Sequence, residues 1–356
     1  MKKKSLSAKR IIPSNFKFDK ILKDKKIFRI YKNFFKSLEK ANYSNKIAVS
    51  VSGGPDSMAL CFLISCYKFK KNQKIRPFFY LVDHGLRKDS SNEANLVKKQ
   101  LRSKNIDLKI LKWKGEKPNS NIQSLARKKR YELLFKECKK SNIRTLLTAH
   151  HKDDIYETFF SRLLRGSGTE GLSSFIVNEK KFNFRGHIIT VTRPLQSFSK
   201  QNLIYITQRV FDFYVKDPSN EMKKFQRVRL RNLILNLKNL GLDFNKLNLT
   251  LNNLNSTNMA INQIVDKNIY ENVIERKEKY IIGPKFFFLP EEIVFRSLSL
   301  LIKKIGKKDY PPRGRKMVNL IKQLKYKDKF KWTLGGTIIE KIHKSVVVTE
   351  EKTKKR

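Results

Sequence analysis

The stretch VSVSGGPDSMALCFL, residues 49–63, joins an apolar strand-like run to an apolar helix-like run through two glycines, a proline and two serines. The residues KIAVSVS (46–52) are typical of a buried strand, and SMALCFLISCYKF (57–69) of a helix, so a strand-to-helix turn is predicted between them. Such a turn directs backbone N–H groups and the positive end of a helix dipole at its ligand. The stretch therefore predicts a phosphate-binding loop.

Strand-like and helix-like segments alternate along the chain after this loop. The alternation predicts an α/β fold with a doubly wound, mainly parallel sheet that carries helices on both faces. In such sheets ligands bind at the carboxyl ends of the strands. The polar segments DHGLR (83–87) and AHHKDD (149–154) follow predicted strands directly, so we expect both beside the loop.

The composition changes along the chain and predicts three regions. We expect residues 1–18 to form a basic, disordered tail, and residues 19–217 to hold an N-terminal helix and the α/β domain. Residues 218–356 are apolar at helical spacing, then end in two helices and short strands, which predicts a helical domain with a small α+β part.

The charge of the chain is strongly unbalanced, with 79 Lys and Arg against 31 Asp and Glu and a formal net charge of +48. This excess indicates a polyanionic partner, with compositional drift toward lysine as the alternative. No apolar run approaches the ~20 residues of a membrane-spanning helix, and the start of the chain lacks the apolar core of a secretory signal. Cys61, Cys66 and Cys138 have no metal-ligand spacing, so we expect buried thiols and a cytoplasmic protein.

The loop SGGPDS is not a Walker-type P-loop, because Pro55 and Asp56 stand where that motif carries Lys and Ser or Thr. Gly53 and Gly54 allow a phosphate to approach the backbone closely, and flanking serine hydroxyls add donors. Asp56 is a candidate magnesium ligand. The alternative is an ordinary Gly-Gly turn in which Asp56 or Ser57 caps the helix.

The segment AHHKDDIYET places His150, Asp154 and Glu157 at i, i+4 and i+7, on one face of a predicted helix. An imidazole and two carboxylates on one face suit a general base, a magnesium site or a cradle for a cationic substrate. The alternative is that the acidic residues only stabilise the helix N-terminus, with His150 as its cap.

Several arginines lie where they can meet phosphates. Arg127 and Arg130 share a helical face in ARKKRY, either as phosphate ligands or as part of the basic surface. The glycine-rich RGSGTEGL (165–172) either closes over substrate or forms a plain helix C-cap and turn. Arg227 and Arg231 lie four residues apart where the second domain is predicted to begin, and suit a nucleic-acid backbone.

These segments, with RPL (193–195) and DPSN (217–220), occur in an order that resembles the tRNA(Ile)-lysidine synthetases, a family of the PP-loop ATP pyrophosphatases. The resemblance is strong over about residues 46–231 and weaker at TLGG (333–336). It implies the PP-loop, adenine nucleotide alpha hydrolase-like fold and a ligase that forms a carbon–nitrogen bond. ATP would adenylate the C2 oxygen of the wobble cytidine in tRNA(Ile) with a CAU anticodon, and free L-lysine would displace AMP to give lysidine.

The resemblance also implies roles for individual residues. ATP would contact Ser52, Gly53, Gly54, Pro55, Asp56 and Ser57, and Asp56 would hold Mg²⁺. Free lysine would be bound by Asp154 and Glu157. The catalytic residues would be Asp56, Arg130, His150, Asp154 and Glu157. The tRNA would contact Arg165, Arg227 and Arg231 and the domain from residue 218 onward.

Three questions stay open at this point. The family commonly has Asn after the arginine that follows DPSN, and here Val228 follows Arg227, so either Arg227 or Arg231 takes the matching role. A PP-loop tRNA thiolase and a non-catalytic tRNA-binding protein on the same fold are the alternative functions. A homodimer is one candidate for the oligomeric state.

Overall fold

The computed structural model describes residues 18–39, 43–70, 74–117, 120–176, 178–215, 226–276, 279–308, 310–312 and 314–351. Contacts divide the chain into two compact units between Leu247 and Asn248. This division falls later than the boundary expected after residue 217, because the helix that starts at Gln226 packs against the first unit. The predicted basic tail, apart from Phe18, and the DPSN segment lie outside the described residues.

The first unit alternates strands and helices as the pattern predicts. Its described elements are α1 (Phe18–Leu22), α2 (Lys25–Glu39), β1 (Lys46–Val51), α3 (Pro55–Lys70), β2 (Arg76–Asp83), α4 (Ser90–Arg102), β3 (Leu108–Lys112), α5 (Ile122–Lys140), β4 (Thr145–Leu147), α6 (Lys152–Leu163), α7 (Thr169–Ser173), β5 (Glu179–Phe184), β6 (His187–Thr192), α8 (Lys200–Phe211) and α9 (Gln226–Asn239).

The first unit is built on a six-stranded sheet in the order β3-β2-β1-β4-β6-β5. All neighbouring strands are parallel except β5, which pairs antiparallel with β6. Strand β1 lies in the middle, where Ile47 is in register with Pro77 of β2 and Thr145 of β4. The order reverses direction around β1, and ligands of doubly wound sheets bind at such a switch point.

Apolar side chains cover both faces of this sheet, which confirms the predicted fold class. Ile47 and Val49 of β1 belong to one buried cluster, with side chains from α2, α3, α4 and α8. Ala48, between them, belongs to a second cluster that includes Leu134 of α5. Successive residues of a strand point to opposite faces, so β1 is buried from both sides. Helix α3 is buried throughout residues 58–64, which holds the loop before it firmly in place.

The second unit contains a smaller antiparallel sheet and two amphipathic helices. Helix α10 (Phe244–Asn272) runs across the division between the units. The strand order of the sheet is β7-β8-β11-β10-β9, and Val294 and Leu298 lie in its apolar core. The remaining elements are β7 (Val273–Arg276), β8 (Lys279–Ile282), a 3-10 helix (Pro284–Phe288), α11 (Glu291–Ile305), α12 (Gly314–Tyr326), β9 (Phe330–Leu334), β10 (Thr337–Ile342) and β11 (Ser345–Glu350).

The hairpin β7–β8 was not predicted, because its residues continue the apolar spacing of the preceding helix. Within the described part of the chain, no helix combines the length and the apolar character needed to cross a membrane.

Candidate active site at the carboxyl edge of the parallel sheet

The glycine loop between β1 and α3 adopts a backbone that requires glycine at one position. Gly53 has φ +82°, and a Cβ there would lie 2.7 Å from Cγ2 of Val97. The Gly53 carbonyl accepts a hydrogen bond from the N–H of Val215 at 3.0 Å. A side chain at Gly53 would therefore strain the backbone and collide with α4, as expected for a loop that lets a ligand approach its main chain.

Two serine hydroxyls close the loop onto the start of α3. Ser57 Oγ donates to the carbonyl of Gly54 at 2.9 Å and accepts from the N–H of Ser52 at 3.1 Å. The Oγ atoms of Ser52 and Ser57 are also 3.1 Å apart. Pro55 begins α3, a position where its missing N–H costs nothing. The loop is thus rigid, and the positive end of the α3 dipole points into it.

Asp56 lies in the first turn of α3 with its two carboxylate oxygens in different surroundings. Oδ2 is 3.6 Å from Nε2 of His151, while Oδ1 is buried and has no hydrogen-bond partner among the described residues. A buried anionic oxygen without a partner is costly, so this atom suits a bound cation. In the described part of the chain no three His, Cys, Asp or Glu side chains form a metal cluster. A magnesium ion at Asp56 would therefore take most of its ligands from phosphate and water.

His151 joins the glycine loop to helix α6. It is the extended residue immediately before α6, and its backbone N–H donates to Oδ2 of Asp154 at 3.0 Å. Its buried ring lies 3.4 Å from Oδ2 of Asp153 and 3.7 Å from Oδ2 of Asp154. Burial alone would lower the pKa of His151, but the carboxylates of Asp153, Asp56 and Asp154 outweigh it and raise the pKa to about 10. His151 is therefore a buried cation surrounded by three carboxylates.

His150 does not share a helical face with Asp154 and Glu157, so that part of the sequence prediction is wrong. Helix α6 begins at Lys152, because His151 has extended backbone angles. The Nδ1 atom of His150 lies 3.0 Å from Oγ1 of Thr148. Burial and the positive charges of Arg193, Arg127 and Arg130 lower the pKa of His150 to about 3. His150 is thus neutral, and next to a cationic His151.

Glu157 is engaged by an arginine from another helix. Its buried Oε1 accepts a hydrogen bond from Nε of Arg231 at 2.6 Å, which ties α6 to α9. Sequence reasoning assigned these two residues separately, Glu157 to lysine and Arg231 to tRNA. The pattern contained no sign that they meet, because they lie on helices far apart in the chain.

The other predicted arginines lie on or next to three helices, α5, α6 and α9. Arg130 belongs to α5, and burial together with its positive charge lowers the pKa values of His84 and His150. Arg165 is exposed just beyond the end of α6. Arg227 belongs to α9, but its side chain lies outside the described residues.

The segment DHGLR forms a turn fixed by Asp83 at the end of β2. Its carboxylate accepts hydrogen bonds from the N–H of Gly85 at 3.0 Å and from Oγ of Ser91 at 2.6 Å. Burial would raise the pKa of Asp83, but these hydrogen bonds outweigh it, so the pKa is lowered. The ring of His84 stands edge-on to Trp113, which follows β3. Asp83 therefore shapes the wall of the site beside the glycine loop.

Comparison with known proteins first gives the class of the chain. Residues 23–238, more than half of the chain, match the sequence model of the PP-loop domain. The chain is a PP-loop protein, in agreement with its glycine loop and doubly wound sheet.

Curated relatives then give the family. The chain is 36% identical to a tRNA(Ile)-lysidine synthase of Wolbachia sp. subsp. Brugia malayi (strain TRS), over 88% of the chain and 72% of the relative. It is 35% identical to a tRNA(Ile)-lysidine synthase of Bradyrhizobium sp. (strain BTAi1 / ATCC BAA-1182), over 74% of the chain and 75% of the relative. The chain belongs to the tRNA(Ile)-lysidine synthase family, which confirms the resemblance found in the sequence.

A solved structure supports the fold. The U34-tRNA thiolase NcsA from Methanococcus maripaludis, with its [4Fe-4S] cluster, has a TM-score of 0.51 and 17% identity, covering 61% of this chain and 74% of that one. The likeness shows the fold alone. Cys61 and Cys66 lie in the core on one face of the large sheet and Cys138 in the core on the other, so they do not meet at one site. Because the curated relatives are lysidine synthases, the thiolase alternative has less support.

Proposed function

We propose that this chain ligates free L-lysine to C2 of the wobble cytidine in tRNA(Ile) with a CAU anticodon, using ATP and producing lysidine, AMP and pyrophosphate. Family membership supports this reaction. The observation that carries it is that His151 forms a junction between the glycine loop and α6. Its Nε2 atom lies 3.6 Å from Oδ2 of Asp56, beside the loop, and 3.7 Å from Oδ2 of Asp154 of α6. One side of this junction suits a nucleotide and the other suits an amine, so both reactants of a two-step ligation meet there.

The glycine loop is suited to the first step, adenylation of the base. The C2 oxygen of cytidine attacks the α-phosphorus of ATP, and pyrophosphate leaves. Backbone N–H groups of the loop and the α3 dipole would stabilise the phosphates, and the buried Oδ1 of Asp56, which has no hydrogen-bond partner among the described residues, supports a Mg²⁺ site there. Mg²⁺ would neutralise charge on the leaving pyrophosphate.

Helix α6 is suited to the second step, attack by lysine. The ε-ammonium of lysine must be held as a cation and must then lose a proton before it attacks C2. Asp154 is the candidate for both tasks, because the family resemblance assigns it to lysine and its side chain, next to the ring of His151, remains 29% exposed.

The remaining parts of the proposal concern partners and place. The net charge of +48 supports tRNA binding by the basic residues of both units, including the region from residue 218 onward. We place the reaction in the cytoplasm, where tRNA, ATP and free lysine are available together. Whether the working form is a monomer or a homodimer can be read from light scattering of the purified protein.

Lysine incorporation tests the reaction. Purified protein, Mg²⁺, ATP and radiolabelled lysine are mixed with a CAU-anticodon tRNA(Ile) transcript or with the same transcript carrying U at the wobble position. We expect label only in the cytidine transcript, with AMP formed in step. Pyrophosphate release without lysine label would favour a thiolase-like reaction, and tRNA binding without either signal would favour the non-catalytic alternative.

Substitution of Asp56 separates catalysis from binding. Asp56→Ala is expected to lower tRNA-dependent pyrophosphate release by about 100-fold or more while leaving tRNA affinity nearly intact. The matched control is Asp107→Ala, which removes an exposed carboxylate just before β3, at the opposite edge of the sheet. Equal pyrophosphate release by the two variants would contradict the role given to Asp56.

A further inference from the structure

Two arginines are held against one aromatic ring beside the candidate site. The guanidinium carbon of Arg193 lies 4.4 Å from the centre of the Phe175 ring, and its Nη1 donates to the Phe175 carbonyl at 3.2 Å. The guanidinium carbon of Arg162 lies 5.5 Å from the same ring centre, and its Nη1 donates to the Gly171 carbonyl and to Oγ of Ser174. Phe175 and the α7 segment thus fix both guanidinium groups.

A third arginine adds to this positive charge. Burial lowers the pKa of Arg193, and so do the nearby charges of Arg127 and Arg162, whereas Tyr131 and Asp154 act in the opposite direction. Arg127 of α5 packs over the ring of Tyr131, 5.4 Å from its centre. Within the described part of the chain, neither Arg127 nor Arg193 forms an ion pair with a carboxylate. Asp154 offsets part of this charge without an ion pair to either guanidinium group, so the cluster keeps an excess of positive charge that suits an anion.

The anion is not explained by the phosphates that the glycine loop would hold. Arg193 directly follows β6, and β4 lies between β6 and the β1 strand that carries the loop. Neighbouring strands are about 4.8 Å apart, so the backbone of Arg193 at the end of β6 lies roughly 10 Å from the end of β1, where the loop begins. The second polyanion of the proposed reaction is the RNA.

We propose that Arg193 and Arg127 bind a backbone phosphate of the substrate RNA next to the target nucleotide, and that Arg162 positions Arg193 through Phe175. This proposal rests on the proposed function for the identity of the RNA. Arginine presents five N–H donors in a planar fork that matches a phosphate, and Arg193 uses one of them on Phe175. Its ring contact with Phe175 holds the fork in one plane, which a lysine side chain would not reproduce.

The test is Arg193→Gln, measured by equilibrium binding of the CAU-anticodon tRNA(Ile) transcript in the absence of ATP and lysine. We expect tRNA binding about 10-fold weaker, the loss typical of one charge-assisted contact. The plot of log K against log salt should become shallower by about 0.7 to 0.9, the value for one phosphate. The KM for ATP, measured by pyrophosphate release at saturating tRNA, should stay within about twofold.

Matched variants separate this contact from a general loss of charge. Arg102→Gln removes an exposed arginine at the end of α4, at the opposite edge of the sheet, and should change tRNA binding less than twofold. Arg193→Lys should recover the salt slope but not the full affinity. Arg127→Gln removes an exposed side chain whose loss leaves the core intact, so it carries the test if Arg193→Gln does not fold.

Each remaining outcome decides the question. Unchanged tRNA affinity and salt slope in both Arg193→Gln and Arg127→Gln would overturn the proposal. A raised KM for ATP with unchanged tRNA binding would assign the cluster to a phosphate of ATP and also overturn it. If the wild-type protein binds tRNA but does not incorporate lysine, the proposed function fails, while the binding data still decide whether Arg193 contacts RNA.

Discussion

The pair formed by Glu157 and Arg231 allows the clearest test of how the site is held together. Glu157 Oε1 and Arg231 Nε are 2.6 Å apart, and their side chains are 10% and 30% exposed. The pair joins α6, which begins with the acidic residues of the site, to α9. We predict that Glu157→Gln weakens the contact between α6 and α9 and destabilises the protein more than an ordinary surface substitution does.

The expected magnitude follows from burial. Breaking a fully buried ion pair costs about 3 to 5 kcal/mol, because the remaining charge is left without a partner in a desolvated place. Arg231 is partly exposed, so water hydrates it when Glu157 becomes neutral, and Gln keeps a hydrogen-bond acceptor. We therefore expect about 2 kcal/mol, which at a urea dependence of about 3 kcal/mol per molar lowers the unfolding midpoint by about 0.7 M.

The assay is urea unfolding of the full chain, followed by far-ultraviolet circular dichroism. The matched control is Glu132→Gln, which breaks an exposed pair with Lys129 at 3.1 Å and should cost less than about 0.5 kcal/mol. A double-mutant cycle with Arg231→Gln isolates the coupling between the two groups. Equal midpoint shifts for Glu157→Gln and Glu132→Gln, or additive effects in the cycle, would refute the argument.

The same variants decide between two roles for Glu157. If it holds α9 in place, Glu157→Gln and Arg231→Gln should impair lysine incorporation to a similar degree. If it binds lysine, as the sequence resemblance implies, Glu157→Gln alone should raise the KM for lysine strongly.

Two further predictions concern the glycine loop and the thiols. Gly53→Ala should destabilise the protein by about 1 to 3 kcal/mol in urea unfolding and raise the KM for ATP, because φ is +82° and the new Cβ would lie 2.7 Å from Val97 Cγ2. An unchanged KM for ATP would argue against this loop as the nucleotide site. Cys61, Cys66 and Cys138 are buried, and burial raises the pKa of each thiol, so a thiol reagent at mildly alkaline pH should react only after unfolding.

Much of the fold was predictable because it depends on local patterns. The segment from Lys46 to Lys70 carries a buried strand, a glycine turn and an apolar helix in consecutive residues, and each leaves its own signal. The alternation of strand-like and helix-like segments after Lys70 then predicts the doubly wound sheet. The β7–β8 hairpin was not predicted, because its apolar residues also fit the helical spacing of α10.

The candidate site was predictable only where its residues act alone or with close neighbours. Asp56 and Asp154 were proposed from their own motifs, but His151 was overlooked because its place in the candidate site depends on contact with Asp56, which lies on a different helix. The start of α6 also moved His150 off the helix, since spacing rules apply only inside an element. Arg193 shows its role only through its contact with Phe175, and no sequence spacing predicts that contact.

Two consecutive histidines divide the site into regions of opposite charge. Three carboxylates raise the pKa of His151 and hold it as a cation, whereas burial and the charges of Arg193, Arg127 and Arg130 lower the pKa of His150 and hold it neutral. An acidic region and a basic region therefore meet at one peptide bond. The proposed ligation must hold a lysine ammonium and an RNA phosphate close to the same base, and mixing their binding groups would neutralise both. Separating the two sets of charges at the turn into α6 allows each reactant to find its own counter-charge next to the base.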